Sequence, residues 1–309
     1  MPRGSRPGVH APGFPKGVAD MKKKLLLICI AVITFLMAIV IMLYPIISTM
    51  YNEQHQSEIH TNFREQVAQA DNTEKETAKA LAVAYNDAIA NNIQLTESFS
   101  KDALLWASED YKNQLNIAGN GIMGYVEIPS ISVNLPIFHG TEDKTLEYGI
   151  GHLLGTSLPV GGSSTHTVLT GHSGMASQRM FSDLDQLSKG DVFYLEVLGE
   201  KLAYQVDQIK TVLPHDTTYL GIESGMDYCT LITCTPFGVN THRLLVRGSR
   251  IPYEEAEEIV KETPPEEKPA STWEQEYLKG LYISLGVAGV LGLAALGFWI
   301  YRRWRRARI

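Results

Sequence analysis

Three short segments hold residue types suited to acyl transfer. The first, Thr167-Val168-Leu169-Thr170-Gly171-His172-Ser173-Gly174, reads as a strand that ends in a histidine between glycines. Glycine on either side gives the imidazole room and lets another backbone approach. The second, Thr230-Leu231-Ile232-Thr233-Cys234-Thr235-Pro236, is a β-branched strand ending in a cysteine, with a proline beyond it that stops pairing. The third, Asn240-Thr241-His242-Arg243-Leu244-Leu245-Val246, opens the next strand with an arginine. If the last two strands pair antiparallel, Cys234 and Arg243 face one cleft. A thiol with a pKa of about 8.5 is little ionised at neutral pH, so it needs a histidine to take its proton or to pair with its thiolate. Acyl transfer then builds negative charge on a carbonyl oxygen, which an arginine or backbone N–H groups can hold. The same histidine can protonate a departing amine. Arginine stays cationic, so it serves as a fixed charge and not as the base.

Each residue taken alone has an ordinary structural role. A cysteine at a strand end is commonly a small buried hydrophobe. His172 has rivals in His139, His152, His166, His215 and His242, and Arg243 by itself reads as a surface charge. It is the combination that points to chemistry. Of the other cysteines, Cys29 lies in an apolar run. Cys229 and Cys234 stand five apart in one strand, so they point to opposite faces and do not bridge. No cysteine has metal-ligand spacing with a histidine and no carboxylate cluster suits calcium, so neither a metal nor a cofactor is expected.

The elements that must position these residues follow from periodicity. From Glu53 to about Asn91 the pattern is helical, with Ile59, Phe63 and Val67 at i, i+4, i+8. Asp71-Asn72-Thr73 breaks the helix, and Thr73 with Glu76 forms a capping box for a second one, whose apolar stripe is Ala78, Leu81, Ala82, Tyr85 and Ile89. Residues 92–120 are mixed. From Gly124 onward short strands alternate with Gly, Pro and Asn: Tyr125–Ile128, Thr167–Thr170, Val192–Val197, Leu202–Ile209, Tyr228–Thr233 and Leu244–Val246. Strands at this spacing predict a mainly β domain, a barrel or sandwich, over residues 121–253. Residues 254–278 read as an acidic, Pro-containing spacer.

Two apolar runs, Leu25–Ile47 and Leu281–Ile300, carry no charge, and a helix of roughly 20 apolar residues crosses a bilayer. Lys22, Lys23 and Lys24 precede the first; Arg302, Arg303, Arg305, Arg306 and Arg308 follow the second. Positive charge stays inside, so residues 21–48 and 279–309 are expected to be two cytoplasm-anchored spans, with residues 49–278 outside the cell. A cleaved signal peptide is the other reading of the first run; its apolar core exceeds the usual h-region and no small-x-small site follows closely, which favours an uncleaved anchor. Residues 1–20 are Pro/Gly-rich and unpatterned ahead of Met21, as in a misassigned start or a cloning extension. Between residues 51 and 278 there are 33 Asp and Glu against 15 Lys and Arg, a net −18, which argues against nucleic acid as a partner.

TLITCTPFGVNTHRLLVRG resembles the TLxTC…R signature of sortases, and VLTGHSG resembles their histidine segment. FSDLDQLSKGDVFYLEV, GYVEIPSISVNLPIFHGT and GHLLGTSLPVGG are similar to segments of the pilin-polymerising class C enzymes, as are the helical N-terminal extension and the second apolar run. The resemblance covers about Gly124 to Pro252. It implies an eight-stranded sortase-type β-barrel and a cell-membrane location, with catalytic Cys234, His172 and Arg243. It also implies an LPXTG-type sorting signal as substrate, a thioacyl-enzyme, and the lysine amine of another pilin as acceptor. A housekeeping sortase that anchors proteins to peptidoglycan is the nearest alternative, and a non-catalytic membrane-tethered binding module the alternative of another class. Thr233 and Ser173, which flank the cysteine and histidine, are candidates for substrate binding or support. Class C enzymes carry a lid with an Asp-Pro-aromatic motif; residues 92–111 here contain no proline, and Phe99 and Trp106 are candidates for its aromatic plug or for helix packing.

Overall fold

The computed structural model describes residues 16–90, 109–173, 179–262 and 272–307. It divides into two units, Met1–Ile47 and Ser48–Ile309. Helix α1 (Lys16–Gln69) begins inside the stretch expected to be unpatterned. Among the described residues, the apolar helix within it is Leu26–Ile41. Among the described residues one helix is long and apolar enough to cross, Tyr277–Arg305 in α6 (Thr272–Ala307). Two spans were expected; by this standard the first is not matched. Phe99 and Trp106 lie outside the described residues.

Eight strands form the centre of the second unit: β1 (Ile122–Ile128), β2 (Val133–His139), β3 (Ile150–His152), β4 (Thr165–Thr170), β5 (Val192–Val197), β6 (Glu200–Val212), β7 (Asp227–Thr235) and β8 (His242–Ile251). They close into a barrel in the order β1-β2-β3-β4-β7-β8-β6-β5, with β1 against β5. Closure leaves no sheet edge unpaired. The pairs β2/β3 and β4/β7 are parallel and the rest antiparallel. Period-two alternation explains the core: on β5, Phe193, Leu195 and Val197 fill the interior, while Val192 and Tyr194 face outward. The six strands expected from sequence are present, most of them longer than expected. The two additional strands are β2, which contains Pro136, and β3, which has only three residues and a glycine at its centre. Proline and glycine both read as strand breakers, which hid these strands.

Helices cover the outside. On α1, Phe63 and Val67 are buried against Ile122 and Tyr125, and Arg64 pairs with Glu196 on β5. Helix α2 (Asn72–Ala90) starts one residue before the expected cap. The Asp71 carbonyl accepts the Lys75 N–H, as an N-cap carbonyl does, and Thr73 lies within the first turn, its carbonyl accepting the Thr77 hydroxyl. The α2 stripe also departs from expectation. Ala82 is fully buried, but Leu81 is 56% exposed, and Asn86 is buried in its stead. The Asn86 amide donates to the Leu158 carbonyl at 3.2 Å and accepts the Leu158 N–H at 2.7 Å, satisfying a loop that a leucine could not. Two short helices follow, α3 (Glu109–Asn113) and α4 (Asp143–Tyr148). The expected spacer after the barrel begins instead as α5 (Tyr253–Glu262), whose Ala256 packs with Val192, Tyr194 and Ala203. Ala256, Ile259 and Val260 supply an apolar stripe at helical spacing that the acidic composition concealed.

Candidate active site

Strands β4, β7 and β8 are neighbours in the barrel, and their ends carry the three chemistry-bearing segments. Antiparallel pairing sets Cys234 directly opposite Arg243. Parallel pairing of β4 with β7 runs to Thr170 opposite Ile232, and the Gly171 N–H donates to the Ile232 carbonyl at 3.0 Å. Carried two steps beyond Thr170, the same register brings His172 level with Cys234. Adjacent strands lie roughly 4.8 Å apart, and this register puts the cysteine on the strand between those that carry the other two. The face is fixed as well. Val168, Ile232 and Leu245 cluster on the outside of the barrel, whereas Cys229 and Leu231 point into its core. Cys234 follows Ile232 by two residues and Arg243 precedes Leu245 by two, so alternation places both on the outer face. Beyond β7 the Thr235–Pro236 peptide is cis. The Pro236 carbonyl accepts the N–H groups of Val239 and Asn240, tightening the turn that returns to Arg243.

Two hydroxyls lock the junction. Thr233 Oγ1 donates to the Gly171 carbonyl at 2.8 Å, and Ser173 Oγ donates to the Cys234 carbonyl at 2.8 Å. Each residue flanking one chemical group thus bonds the main chain beside the other. Gly171 is required for close packing: a Cβ there meets Ile150 Cδ1 at 2.6 Å and Phe181 Cδ2 at 2.8 Å. The space expected from the sequence to admit another backbone is, on this glycine, filled by those two side chains.

Burial sets the electrostatics. Cys234 is half-buried, which raises its thiol pKa, and the Arg243 cation partly offsets the rise. Burial lowers the His172 pKa, and the carboxylates of Asp143 and Glu147 partly offset the fall. Both shifts favour a neutral thiol beside a neutral imidazole at rest. Asp143 and Glu147 were not found from the sequence; their only signal there is an i, i+4 carboxylate pair, far along the chain from His172. Four of the five rival histidines are otherwise placed. His152 is fully buried between the Tyr111 hydroxyl and the Ser157 carbonyl, and burial pushes its pKa down to about 4. His166 bonds the Gly221 carbonyl and Thr230 Oγ1, and His139 the carbonyls of Gln114 and Gly121. His242 pairs with Thr235 and so alternates to the face opposite Arg243. Cys229 is wholly buried, which drives its thiol far above the ordinary range. Among the described residues no group of three or more His, Cys, Asp or Glu side chains is placed to hold a metal ion.

A closed eight-stranded barrel with this histidine, cysteine and arginine at the ends of β4, β7 and β8 defines a class, and residues 126–251 match the Sortase domain. The chain belongs to the sortase family, a family of cysteine transpeptidases. Within it, sortase C enzymes are among the similar solved structures. Sortase C1 of Streptococcus agalactiae is 44% identical, with a TM-score of 0.58 over 62% of this chain and 96% of that one. A Streptococcus pneumoniae sortase C, whose structure bears on catalysis and pilin substrate specificity, is 46% identical, with a TM-score of 0.56 over 63% of this chain and 97% of that one. Sortase D of Bacillus subtilis is 30% identical over 131 residues, which is 41% of this chain and 63% of that relative's length.

Proposed function

We propose that this protein is a pilin-polymerising transpeptidase that cleaves an LPXTG-type sorting signal and joins the new carboxyl end to a lysine of another pilin. The observation that carries the reading is Cys234 opposite Arg243 on β7 and β8, with His172 two residues beyond the end of the β4–β7 register that leads to Cys234. Cys234 Sγ, as thiolate, attacks the threonine carbonyl of the signal. The C=O π bond opens to an oxyanion, which the Arg243 guanidinium holds. As the intermediate collapses, the Thr–Gly C–N bond breaks and His172, as imidazolium, gives its proton to the departing glycine amine. A thioester remains on Cys234. The lysine amine then attacks that thioester, His172 accepts the proton it loses, and the C–S bond breaks to return the thiolate and leave an isopeptide. The family and the class C character of its solved relatives support this over the housekeeping alternative.

The proposal includes an outward-facing barrel held by membrane helices at both ends, with the tail arginines inside. In cells, Cys234→Ala is expected to abolish the pilus ladder on a denaturing gel; an intact ladder rejects the assignment. In a purified reaction with an LPXTG peptide and a pilin subunit, mass spectrometry should find the isopeptide on a pilin lysine. Transfer only to a cell-wall amine favours the housekeeping reading.

A further inference from the structure

The reaction proposed above needs His172 protonated when the amine leaves, yet its half-buried position disfavours that form. The compensating charge comes from a part of the fold that the three strand ends do not include. Strand β3 pairs antiparallel with β4, Gly151 opposite Thr170 and His152 opposite Leu169. Carried two steps on, that register sets Ile150 opposite Gly171 and Gly149 opposite His172. Gly149 is the residue that ends α4, its N–H bonded to the Thr145 carbonyl. The contact is close: the position of a Cβ on Gly171 is 2.6 Å from Ile150 Cδ1. Helix α4 is itself pinned by Leu146, fully buried, with Cδ2 3.1 Å from where a Cβ on Gly151 would stand. Asp143 and Glu147 lie one turn apart on this helix, so they share a face, and both are exposed.

We propose that Asp143 and Glu147 are positioning residues for His172: carboxylates held by α4 at the rim of the cleft, where they favour the imidazolium that donates to the leaving amine. This rests on the catalytic reading above. The direction agrees with the electrostatics, in which these two side chains are the charges that oppose the effect of burial on His172. The other charged groups around the histidine do not supply this. Arg243 lies on β8, beyond Cys234, and carries the opposite sign. Arg179 comes just before Phe181, whose N–H bonds the His172 carbonyl, and its guanidinium is 3.8 Å from Asp183. On α4 itself, Lys144 precedes Glu147 by three and so neighbours it on the helix surface, but it carries the opposite sign. With a thiol pKa raised and an imidazole pKa lowered, the fraction of protein in the thiolate–imidazolium form grows with any influence that raises the imidazole value. Exposed carboxylates act across water, so their effect is several-fold, not orders of magnitude.

The test uses the full chain in detergent with Cε1-labelled histidine, the His172 signal being assigned by its loss in His172→Ala. Comparison is made with Asp143→Asn/Glu147→Gln, with Glu147→Gln alone, and with the charge-retaining Asp143→Glu/Glu147→Asp. The His172 midpoint is expected to move to lower pH in the neutral double variant and to stay near wild type in the charge-retaining one. In parallel, the acid limb of the pH profile for LPXTG-peptide cleavage should move to lower pH and the plateau should fall several-fold. An unmoved midpoint in the neutral double variant, with the other histidine signals unchanged, overturns the proposal. If that variant disturbs those signals, the same comparison is decided by Glu147→Gln. Wild-type protein that cleaves no peptide while the midpoint still moves defeats the catalytic reading and leaves the link from α4 to His172 standing.

Discussion

A thiol half-buried at the end of β7 gives up its proton reluctantly, and Arg243 offsets only part of that cost. Alkylation of Cys234 by a neutral reagent such as iodoacetamide is therefore expected to quicken with pH through and beyond about 8.5, the ordinary thiol value. A rate already level from about pH 6 would mark a stable ion pair and contradict the account. Arg243→Gln should slow the reaction at each pH below the midpoint, because the cation that favours thiolate is gone. Buried Cys229 should stay unlabelled. Thr233→Val and Ser173→Ala each remove one bond of the junction that aligns the two segments. Each should lower kcat by about tenfold with KM little changed, and the double variant should lose less than the sum, since both act on one junction. A raised KM with kcat intact would assign these hydroxyls to substrate instead. Of this scale the sequence showed the residue types well, since cysteine, histidine and arginine at strand ends follow from local pattern. Asp143 and Glu147 were hidden because their nearness to His172 comes from β3–β4 pairing, which no local spacing encodes.

Among the elements, α2 illustrates how a helix pattern misleads. Its apolar stripe gave the helix and most of its buried face, but the rule that polar residues stay outside misplaced Asn86, which caps a loop strand by bonding both backbone groups of Leu158. Asn86→Ala leaves the buried Leu158 N–H unpaired, at about 1–3 kcal/mol, while the Leu158 carbonyl keeps the Val160 N–H and the Thr167 hydroxyl. Denaturant unfolding should show that loss, while Leu81→Ala, exposed despite its place in the stripe, should stay within about 0.5 kcal/mol of wild type. Equal costs at the two positions would contradict the packing described. Strands β2 and β3 escaped notice for a related reason: Pro136 and Gly151 weaken a strand signal locally, and it is the neighbouring strands of the closed barrel that hold them extended. The β5, β7 and β8 signals survived because their alternation is long and β-branched.

Across the whole molecule, the barrel is held together partly by histidines that must remain neutral. His152 has a pKa of about 4 when folded against about 6.5 when unfolded, so the unfolded chain binds more protons between those values. Stability should accordingly fall as pH drops from about 6.5 to 4, by roughly 3 kcal/mol for this residue, with His139 and His166 acting in the same direction. Stability that is flat across that window, measured by denaturant unfolding, would contradict the burial described. Glu196 works at more acid pH: its ion pairs with His60 and Arg64 outweigh burial and hold its carboxyl at about 2, so that its contribution is present above the usual carboxylate range and is lost as pH falls through 2. These effects concern the frame; the claim on which the function rests is that one sulfur on its outer face forms the acyl-enzyme. The direct measurement is peptide-mapping mass spectrometry of the full chain quenched during reaction with an LPXTG peptide. The account predicts an acyl adduct, ending in the signal's threonine, on the peptide that contains Cys234, discharged by added amine and missing in Cys234→Ala. Peptide cleavage that continues in Cys234→Ala, or an adduct on any other residue, would contradict it.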